Sequence, residues 1–184
     1  MSDYTVHDQN SAPEEARALL GQLKGGMGFI PNIGGIMAEA PALAKAYFTL
    51  SDLFDQTSFS PTERQIVLLT VSHDNGCEYC VAAHSVIASM QKVPGDVVQA
   101  IRDNQPIADD RLEALRKFTR AMVEKRGWLD EADIEAFLKA GYDRRNVLEV
   151  VLGVGMKTLS NYTNHVADTP LDEAFAGQRW QKKG

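Results

Sequence analysis

Residues 60–84 read SPTERQIVLLTVSHDNGCEYCVAAH, and the rest of the chain is most simply interpreted as helical packing that holds this segment in place. The segment opens with a helix start signal. Ser60 can cap the helix, Pro61 suits its first position and Glu63 completes a capping box. The apolar run over residues 66–71 could also be read as a buried strand. The capping signal and the continuation of the pattern beyond this run favour a central helix with few exposed faces.

Both cysteines of the chain lie in the second half of this segment. The residues at 74–76, Asp-Asn-Gly, break the first helix, and a second helix is predicted from about Cys77 to about Gln91. Cys77, Cys80 and His84 then stand at positions i, i+3 and i+7, which places them on one helix face. A thiol in the first helical turn has a lowered pKa, because free backbone amides and the helix dipole favour a negative sulfur. By helix position alone, Cys77 is therefore the expected thiolate.

A dithiol with a histidine nearby supplies a nucleophile, a second sulfur that can close a disulfide, and a base. These are the parts of a two-cysteine peroxidase or of a disulfide oxidoreductase. A structural role for the pair is the alternative, but cysteines this close in sequence close too small a loop to add much stability. Zinc is a weaker alternative, because a closed structural site takes four ligands and His73 or His165 would have to come from another helix. The pattern favours redox chemistry without a metal.

The composition is that of an ordinary globular protein. The 184 residues are 44% hydrophobic and 24% charged, which fits a single domain over residues 1–184. A net charge of −6 without a basic block argues against nucleic-acid or anionic-membrane partners. The polar N-terminus indicates no signal peptide, and the longest apolar run is too short for a membrane span. We therefore expect a cytoplasmic protein whose cysteines are reduced thiols.

Helical patterns continue through the remainder of the chain, so the predicted fold class is all-α, a single-domain helical bundle. The first helix is expected to end at the glycine pair 25–26, and residues 25–35 are interpreted as a loop because of their glycines and proline. The last helix, over about 144–167, contains Gly153 and Gly155. Since glycine inside a helix costs about 1 kcal/mol, another helix is expected to approach closely there. Further helix starts are predicted near Pro41, Pro94, Asp109, Asp130 and Asp143.

The central segment also resembles a known family. The stretch ERQIVLLTVSHDNGCEYCVAAH is similar to the core of the alkylhydroperoxidase D-like group within the carboxymuconolactone decarboxylase family. The flanking stretches GFIPNIGGIMAEAPALAKAYFTL and GVGMKTLSNYTNHVADTPLD resemble the peroxidase-related branch of that family. The likeness extends over about residues 28–172, and the Cys-x-x-Cys-x-x-x-His core is its most specific part.

The resemblance implies an all-helical fold that assembles as homo-oligomers, such as trimers or hexamers. It also implies reduction of small organic hydroperoxides by the dithiol, with no metal, haem or flavin cofactor. Electrons would return from a dithiol reductant such as a lipoylated protein or thioredoxin. Under this resemblance Cys80 is the peroxidatic sulfur, Cys77 the resolving one and His84 part of the proton relay. Because His84 lies one turn from Cys80 and two turns from Cys77, base activation also favours Cys80, in contrast to the argument from helix position.

Two positions depart from the family pattern. Gln65 stands where relatives have a relay glutamate, and an amide can donate a hydrogen bond or orient water but cannot take up a proton. Tyr79 stands just before the second cysteine, where relatives have a histidine. A phenol with a pKa of about 10 is a poor base at neutral pH. Proton transfer then rests chiefly on His84, with Gln65 and Tyr79 as candidate supporting residues.

The predicted function is a cofactor-free thiol peroxidase in which Cys80 attacks the peroxide, Cys77 closes the disulfide and His84 assists deprotonation. Two alternatives stay open. One is a disulfide reductase or redox relay with little peroxidase activity, and the other is a redox-sensing oligomeric helical scaffold. Lactone decarboxylation, which names the family, is less favoured because it requires no redox dithiol. His165 is expected in a hydrogen-bonded core or interface cluster, with approach to the dithiol as the alternative.

Overall fold

The computed structural model describes residues 3–182, and in this part of the chain nine α-helices and one 3-10 helix are present and no strand. The all-α prediction is therefore confirmed. No helix among these residues has both the length and the apolar character needed to cross a lipid bilayer. The helices are α1 (Glu14–Met27), α2 (Asn32–Met37), α3 (Pro41–Asp55), α4 (Pro61–Asp74), α5 (Glu78–Met90), α6 (Gly95–Arg102), α7 (Asp110–Glu124), α8 (Glu131–Lys139), α9 (Arg144–Ala167) and the 3-10 helix Glu173–Gln178.

The central element is α4, and its start is stabilised as predicted. The Glu63 backbone N–H donates to Ser60 Oγ at 3.3 Å, and the Ser60 N–H donates to the Glu63 carboxylate at 2.8 Å. Residues 65–73 of α4 are all buried. Helices α5, α6, α7 and α9 pack around it. The apolar run of this segment is therefore a buried helix and not a strand.

The turn between α4 and α5 sets the position of Cys77. The Gly76 N–H donates to the His73 carbonyl at 2.9 Å, and the Cys77 N–H donates to the Ser72 carbonyl at 2.9 Å. Gly76 has a φ of 67°. These features form a Schellman motif, in which a left-handed glycine ends a helix sharply. The chain thus leaves α4 in a defined direction and α5 begins at Glu78, with Cys77 as its N-cap.

Two boundaries near the N-terminus differ from the sequence-based expectation. Helix α1 continues through the glycine pair and ends at Met27, capped by Gly28 with a φ of 81°. The second half of the predicted loop over residues 25–35 is instead helical, because α2 begins at Asn32 and continues to Met37. The Asn32 N–H at the start of α2 donates to the Asp172 carboxylate at 3.0 and 3.2 Å. Because Asp172 is distant in sequence, the local pattern gives no sign of this stabilisation.

Helix α9 packs against α3, α4 and α5. At Gly153 a Cβ would lie 2.7 Å from Val67 and 2.9 Å from Phe54, so the close approach predicted there is confirmed. At Gly155 the same prediction is wrong. Gly155 is exposed, and within residues 3–182 a Cβ at this position would have no neighbour closer than 4 Å. Glycine at 153 therefore lets α9 approach α4 closely enough to face the dithiol.

Candidate active site

Both cysteines lie at the N-terminal end of α5 and are free thiols. Helix α5 begins one residue later than the pattern suggested, so Cys77 precedes it and Cys80 lies in its first turn. Cys77 is 1% exposed, Cys80 is 2% exposed, and His84 is buried one turn further along. The structure thus places all three predicted residues on buried positions at the start of one helix.

A buried lysine from α9, not predicted from the sequence, faces this group. Lys157 is 0% exposed, and its Nζ lies 3.0 Å from Nε2 of His84. It also interacts with Cys80 through a hydrogen bond and through its charge. A buried ammonium without a negative partner costs several kcal/mol. The Cys80 sulfur is placed to be that partner.

The electrostatics of the site favour Cys80 as the thiolate. Burial opposes a charged sulfur there, but the hydrogen bond with Cys77 and the charge of Lys157 outweigh it and hold the pKa of Cys80 well below its ordinary value. The same hydrogen bond, together with burial, raises the pKa of Cys77. Burial also opposes the ammonium of Lys157, but the neighbouring Cys80 charge leaves its pKa raised. The electrostatics thus favour Cys80, in contrast to the expectation from helix position, because the charge of Lys157 comes from another helix.

His84 is neutral in this environment, since burial and the charge of Lys157 lower its pKa well below the ordinary value. Nε2 then accepts a hydrogen bond from Lys157, while Nδ1 donates to Oε1 of Gln65 at 3.0 Å. Gln65 in turn donates through Nε2 to Oε1 of Gln91 at 3.1 Å. The chain of donors runs from Lys157 through His84 and Gln65 to Gln91. Gln65 therefore contacts His84 and orients it, and does not take up its proton.

Tyr79 has its hydroxyl directed at other partners. It donates to Oδ2 of Asp172 at 2.5 Å, and the Ile33 N–H donates to the hydroxyl oxygen at 3.4 Å. Burial and the Asp172 carboxylate raise the pKa of Tyr79. The residue therefore anchors α5 to α2 and to the C-terminal segment, and it holds its proton at neutral pH.

Two further polar side chains of α9 contact the sulfurs. Asn164 Nδ2 lies 3.2 Å from the Cys80 sulfur and 3.6 Å from the Cys77 sulfur, so it donates to both. Its Oδ1 is buried and has no hydrogen-bond partner within residues 3–182, so the hydrogen bonds of this side-chain amide go to the dithiol. Ser160 Oγ lies 3.8 Å from the Cys80 sulfur. The Ser160 hydroxyl donates to the Lys157 carbonyl, so it is the Asn164 amide that stabilises negative charge on sulfur.

The residues supplied by α9 were missed because polar side chains on a helix usually face solvent. The available signal was their spacing. Lys157, Ser160 and Asn164 continue the face that begins with Val150 and Gly153, and intervals of three and four residues keep all five on one side. Because this face begins with an apolar residue and a glycine, Val150 and Gly153, it is expected to lie toward the core.

Neither His165 nor His73 makes a hydrogen bond to a cysteine sulfur within the described residues. His165 is exposed, and its ring centroid is 6.5 Å from that of Tyr162, so the expected core position is wrong and the interface position stays a prediction. One residue beyond Asn164 turns the side chain by about 100° from the buried face. His73 Nδ1 lies 3.0 Å from Oδ1 of Asp74. Residues 3–182 hold no group of three or more His, Cys, Asp or Glu side chains placed to bind a metal ion.

A largely apolar cavity of about 190 Å³ is lined at one end by Cys80. Lys157, His84 and Gln65 form its polar end beside this sulfur. Most of its remaining wall is aliphatic or aromatic and comes from Ile33, Tyr47, Phe48, Phe54, Ile87, Met156 and Phe175. The arrangement presents a thiolate and a cation to a small apolar molecule.

Comparison with known proteins gives this site a family context. Residues 41–122 match the model of the carboxymuconolactone decarboxylase family, whereas no curated protein matches the sequence. An uncharacterized peroxidase-related protein from Ralstonia eutropha JMP134, an alkylhydroperoxidase AhpD core, superposes with a TM-score of 0.84 at 23% identity, covering 95% of this chain and 94% of that one.

Two further solved structures have the same fold. A peroxidase-related protein from Silicibacter sp. TM1040 gives a TM-score of 0.80 at 19% identity, with 96% of this chain and 93% of that one covered. A cysteine-to-alanine variant of the debrominase Bmp8, in complex with 2,3,4-tribromopyrrole, gives 0.76 at 21% identity, with 97% of each chain covered. The resemblance seen in the sequence is thereby confirmed: the chain has the fold of the alkylhydroperoxidase D core, and its residues 41–122 match the model of the carboxymuconolactone decarboxylase family.

Proposed function

We propose that this chain is a thiol peroxidase that reduces small organic hydroperoxides through Cys77 and Cys80. The observation that carries the proposal is the Cys80 sulfur, paired with the buried Lys157 at the end of an apolar cavity. The fold and the family support an enzyme, and the adjacent thiols supply two electrons. The apolar wall favours an organic hydroperoxide over hydrogen peroxide, because burial of an alkyl or aryl group contributes about 25 cal/mol per Å².

The first step is attack of the Cys80 thiolate on the terminal oxygen of the hydroperoxide. The O–O bond breaks, Cys80 becomes a sulfenic acid and an alkoxide leaves. Lys157 donates a proton to the alkoxide, because its buried ammonium has lost its negative partner. His84 accepts a hydrogen bond from Lys157 and so positions the ammonium. The base role that the resemblance gives to His84 stays a prediction.

The second step joins the two sulfurs. The Cys77 thiol attacks the sulfenic sulfur of Cys80, and its proton leaves with the sulfenic hydroxyl as water. A dithiol donor then returns two electrons and two protons. One proton stays on Cys77 and the other on Lys157, which restores the ion pair with Cys80. No metal or organic cofactor takes part in these steps.

The test is turnover of cumene hydroperoxide with dithiothreitol as reductant. We expect no activity for Cys80→Ser, and for Cys77→Ser the consumption of one peroxide per chain without a disulfide. Lys157→Met and His84→Ala should lower the rate of peroxide attack. Lys117→Met, a matched change at an exposed lysine, should not. Full turnover by Cys80→Ser would show that Cys80 is not the nucleophile.

A second candidate reaction is reductive dehalogenation of a small aromatic halide. The aromatic part of the cavity wall and the shared fold with the debrominase favour it. The Cys80 thiolate would take the halogen while the ring carbon gains a proton, and Cys77 would then displace halide and close the disulfide. Halide release from 2,3,4-tribromopyrrole with a dithiol, set against hydroperoxide consumption under the same conditions, decides between the two.

A further inference from the structure

The two cysteines border different cavities. Cys80 lines the apolar cavity, whereas Cys77 lines a separate polar cleft of about 480 Å³, and neither sulfur-bearing residue lines both. Tyr79 lines both and lies between them. We name the second space the Cys77 cleft. It is formed by the start of α5, the end of α9 and the C-terminal segment, including Gly76, Glu78, Asn164, His165, Arg179 and Trp180.

We propose that the reductant enters through the Cys77 cleft and attacks the Cys77 sulfur of the disulfide, while the hydroperoxide reaches Cys80 through the apolar cavity. The second half rests on the proposed function. The first half concerns the disulfide alone and can be tested however that disulfide is formed.

The step balances without a further reactant. A donor thiolate forms a bond with the Cys77 sulfur, the Cys77–Cys80 bond breaks, and its electron pair leaves on Cys80. The second thiol of the donor then attacks the donor's own sulfur in the mixed disulfide. This releases Cys77, which takes up a proton, and the donor leaves as a cyclic disulfide. The protein disulfide is reduced and the donor dithiol is oxidised.

Attack at Cys77 is favoured by the leaving group as well as by access. Thiol–disulfide exchange is faster when the departing sulfur is a weak base. Cys80 leaves beside the charge of Lys157 and the amide of Asn164, which stabilise its negative charge. Attack at Cys80 would instead expel Cys77, whose sulfur lies farther from the Asn164 amide, at 3.6 Å against 3.2 Å for Cys80. The position of the cleft and the stabilisation of the departing sulfur therefore both favour attack at Cys77, with Cys80 as the leaving group.

The cleft fits a slender dithiol at the end of a flexible chain. Cys77 is only 1% exposed, so a sulfur fixed on a broad protein surface would have to displace the cleft walls to reach it. The rim carries both signs of charge, with Glu78 and Asp168 against Arg179. This mixture favours an uncharged donor. Dithiothreitol and dihydrolipoamide are suitable probes.

The site of attack can be read directly, because Glu78 lies between the cysteines. The protein is oxidised with diamide, mixed briefly with 2-mercaptoethanol, quenched in acid and treated with N-ethylmaleimide. Cleavage after glutamate then separates the two cysteines for mass spectrometry. We expect the mercaptoethanol adduct on Cys77 and the maleimide on Cys80. The reverse labelling would overturn the proposal.

A pair of blocking substitutions tests the two entrances. His165→Trp narrows the Cys77 cleft from an exposed position, and Ser51→Trp narrows the apolar cavity. His165→Trp should slow reduction of the diamide-formed disulfide by dihydrolipoamide at least tenfold and leave oxidation by cumene hydroperoxide within twofold. Ser51→Trp should do the opposite, and Lys117→Trp, which lines neither space, should change neither rate.

The outcomes separate this inference from the proposed function. If diamide forms the disulfide and His165→Trp slows its reduction, but cumene hydroperoxide does not oxidise the protein, then the cleft stands and the peroxidase proposal fails. If each variant slows oxidation by the hydroperoxide and reduction by dihydrolipoamide equally, the inference that the two reactants enter separately is wrong. Faster reduction by thioredoxin than by dihydrolipoamide at equal thiol concentration would contradict the inference that the cleft takes a slender dithiol.

Discussion

The electrostatics of the site favour an ion pair between the buried Lys157 and Cys80. The interaction between two charges grows as the surrounding dielectric falls, but removing both charges from water offsets much of that gain. Such a pair adds little to folding stability. Its chemical effect is larger, because the lysine keeps the sulfur ionised and holds a proton beside the reacting atoms.

Replacing Lys157 by methionine should remove the stabilisation of the Cys80 thiolate. The fold should survive, because Cys80 can neutralise itself by taking a proton. With an ordinary thiol pKa of about 8.5, only about 3% of Cys80 would be ionised at pH 7. Alkylation of Cys80 by iodoacetamide, followed by peptide mass spectrometry, should slow at least about tenfold at pH 7 and rise with pH. Wild type and Lys117→Met should react at a rate that changes little from pH 6.5 to 8. An unchanged profile in Lys157→Met would contradict the ion pair.

The lowered pKa of His84 predicts how stability depends on pH. Below the unfolded-state pKa of about 6.5, the unfolded chain binds a proton at this residue that the folded chain does not. The free energy of unfolding should therefore fall as pH falls below 6.5, and His84 should contribute no slope above it. In His84→Gln the slope should decrease by up to about 1.4 kcal/mol per pH unit. Urea unfolding between pH 5 and 7.5 measures the difference, and equal slopes would mean that His84 is protonated in the folded protein.

At the scale of secondary structure, the site is built by two helices, α5 and α9, whose polar faces lie opposite each other. Helix α5 presents its dithiol and histidine, and α9 presents a lysine and two polar side chains at the same intervals. Their approach depends on Gly153, where the side chains of α3 and α4 leave no room for a Cβ. Side chains on facing helices can then meet in pairs although they are distant in sequence.

Gly153→Ala should destabilise the protein by about 1–3 kcal/mol, because the added methyl group overpacks the contact with Val67 and Phe54. Gly25→Ala is the matched control. Gly25 lies inside α1, and a Cβ there would have no described neighbour within 4 Å. That substitution should stabilise by up to about 1 kcal/mol, since alanine is the better helix former. Urea midpoints at equal m-values give both numbers. A neutral Gly153→Ala would show that α9 can move away without loss.

At the scale of the whole molecule, the C-terminal segment, residues 168–182, packs beside the dithiol and joins distant helices. Asp172 accepts hydrogen bonds from Tyr79 and from the Asn32 backbone, which joins α5 and α2. Trp180 Nε1 donates to the Arg102 carbonyl at 2.9 Å, which fixes the end of the segment against α6. The walls of both cavities thus come from parts of the chain that are far apart in sequence.

The outer face of α9 is exposed and apolar, through Leu148, Val151, Tyr162 and Val166. We propose that this face joins copies of the chain into the homo-oligomer that the resemblance implies, because a contiguous apolar patch on a monomer usually marks an interface. Wild type should sediment above the monomer mass of 20.2 kDa. Val151→Glu with Val166→Glu should lower the mass toward that value, and Trp128→Glu, at an exposed aromatic residue outside α9, should not. A monomeric wild type at micromolar concentration would contradict this interface.

Much of the fold could be predicted from local sequence patterns. The capping box of α4, the turn at Gly76 and the starts of α3, α7, α8 and α9 were all predictable, because caps and turns join residues a few positions apart. The same patterns failed at α2. Its first N–H is satisfied by Asp172, and no local rule anticipates a partner from the other end of the chain.

The sequence by itself determined the all-helical fold, the central capped helix and the grouping of Cys77, Cys80 and His84, since all of these depend on spacing along the chain. Only the tertiary structure decided which sulfur has a cation beside it and which space each cysteine borders. The physical reason is that charge stabilisation in a buried site depends on distance in space. Lys157 and Asn164 reach Cys80 only because α9 packs against α4 and α5.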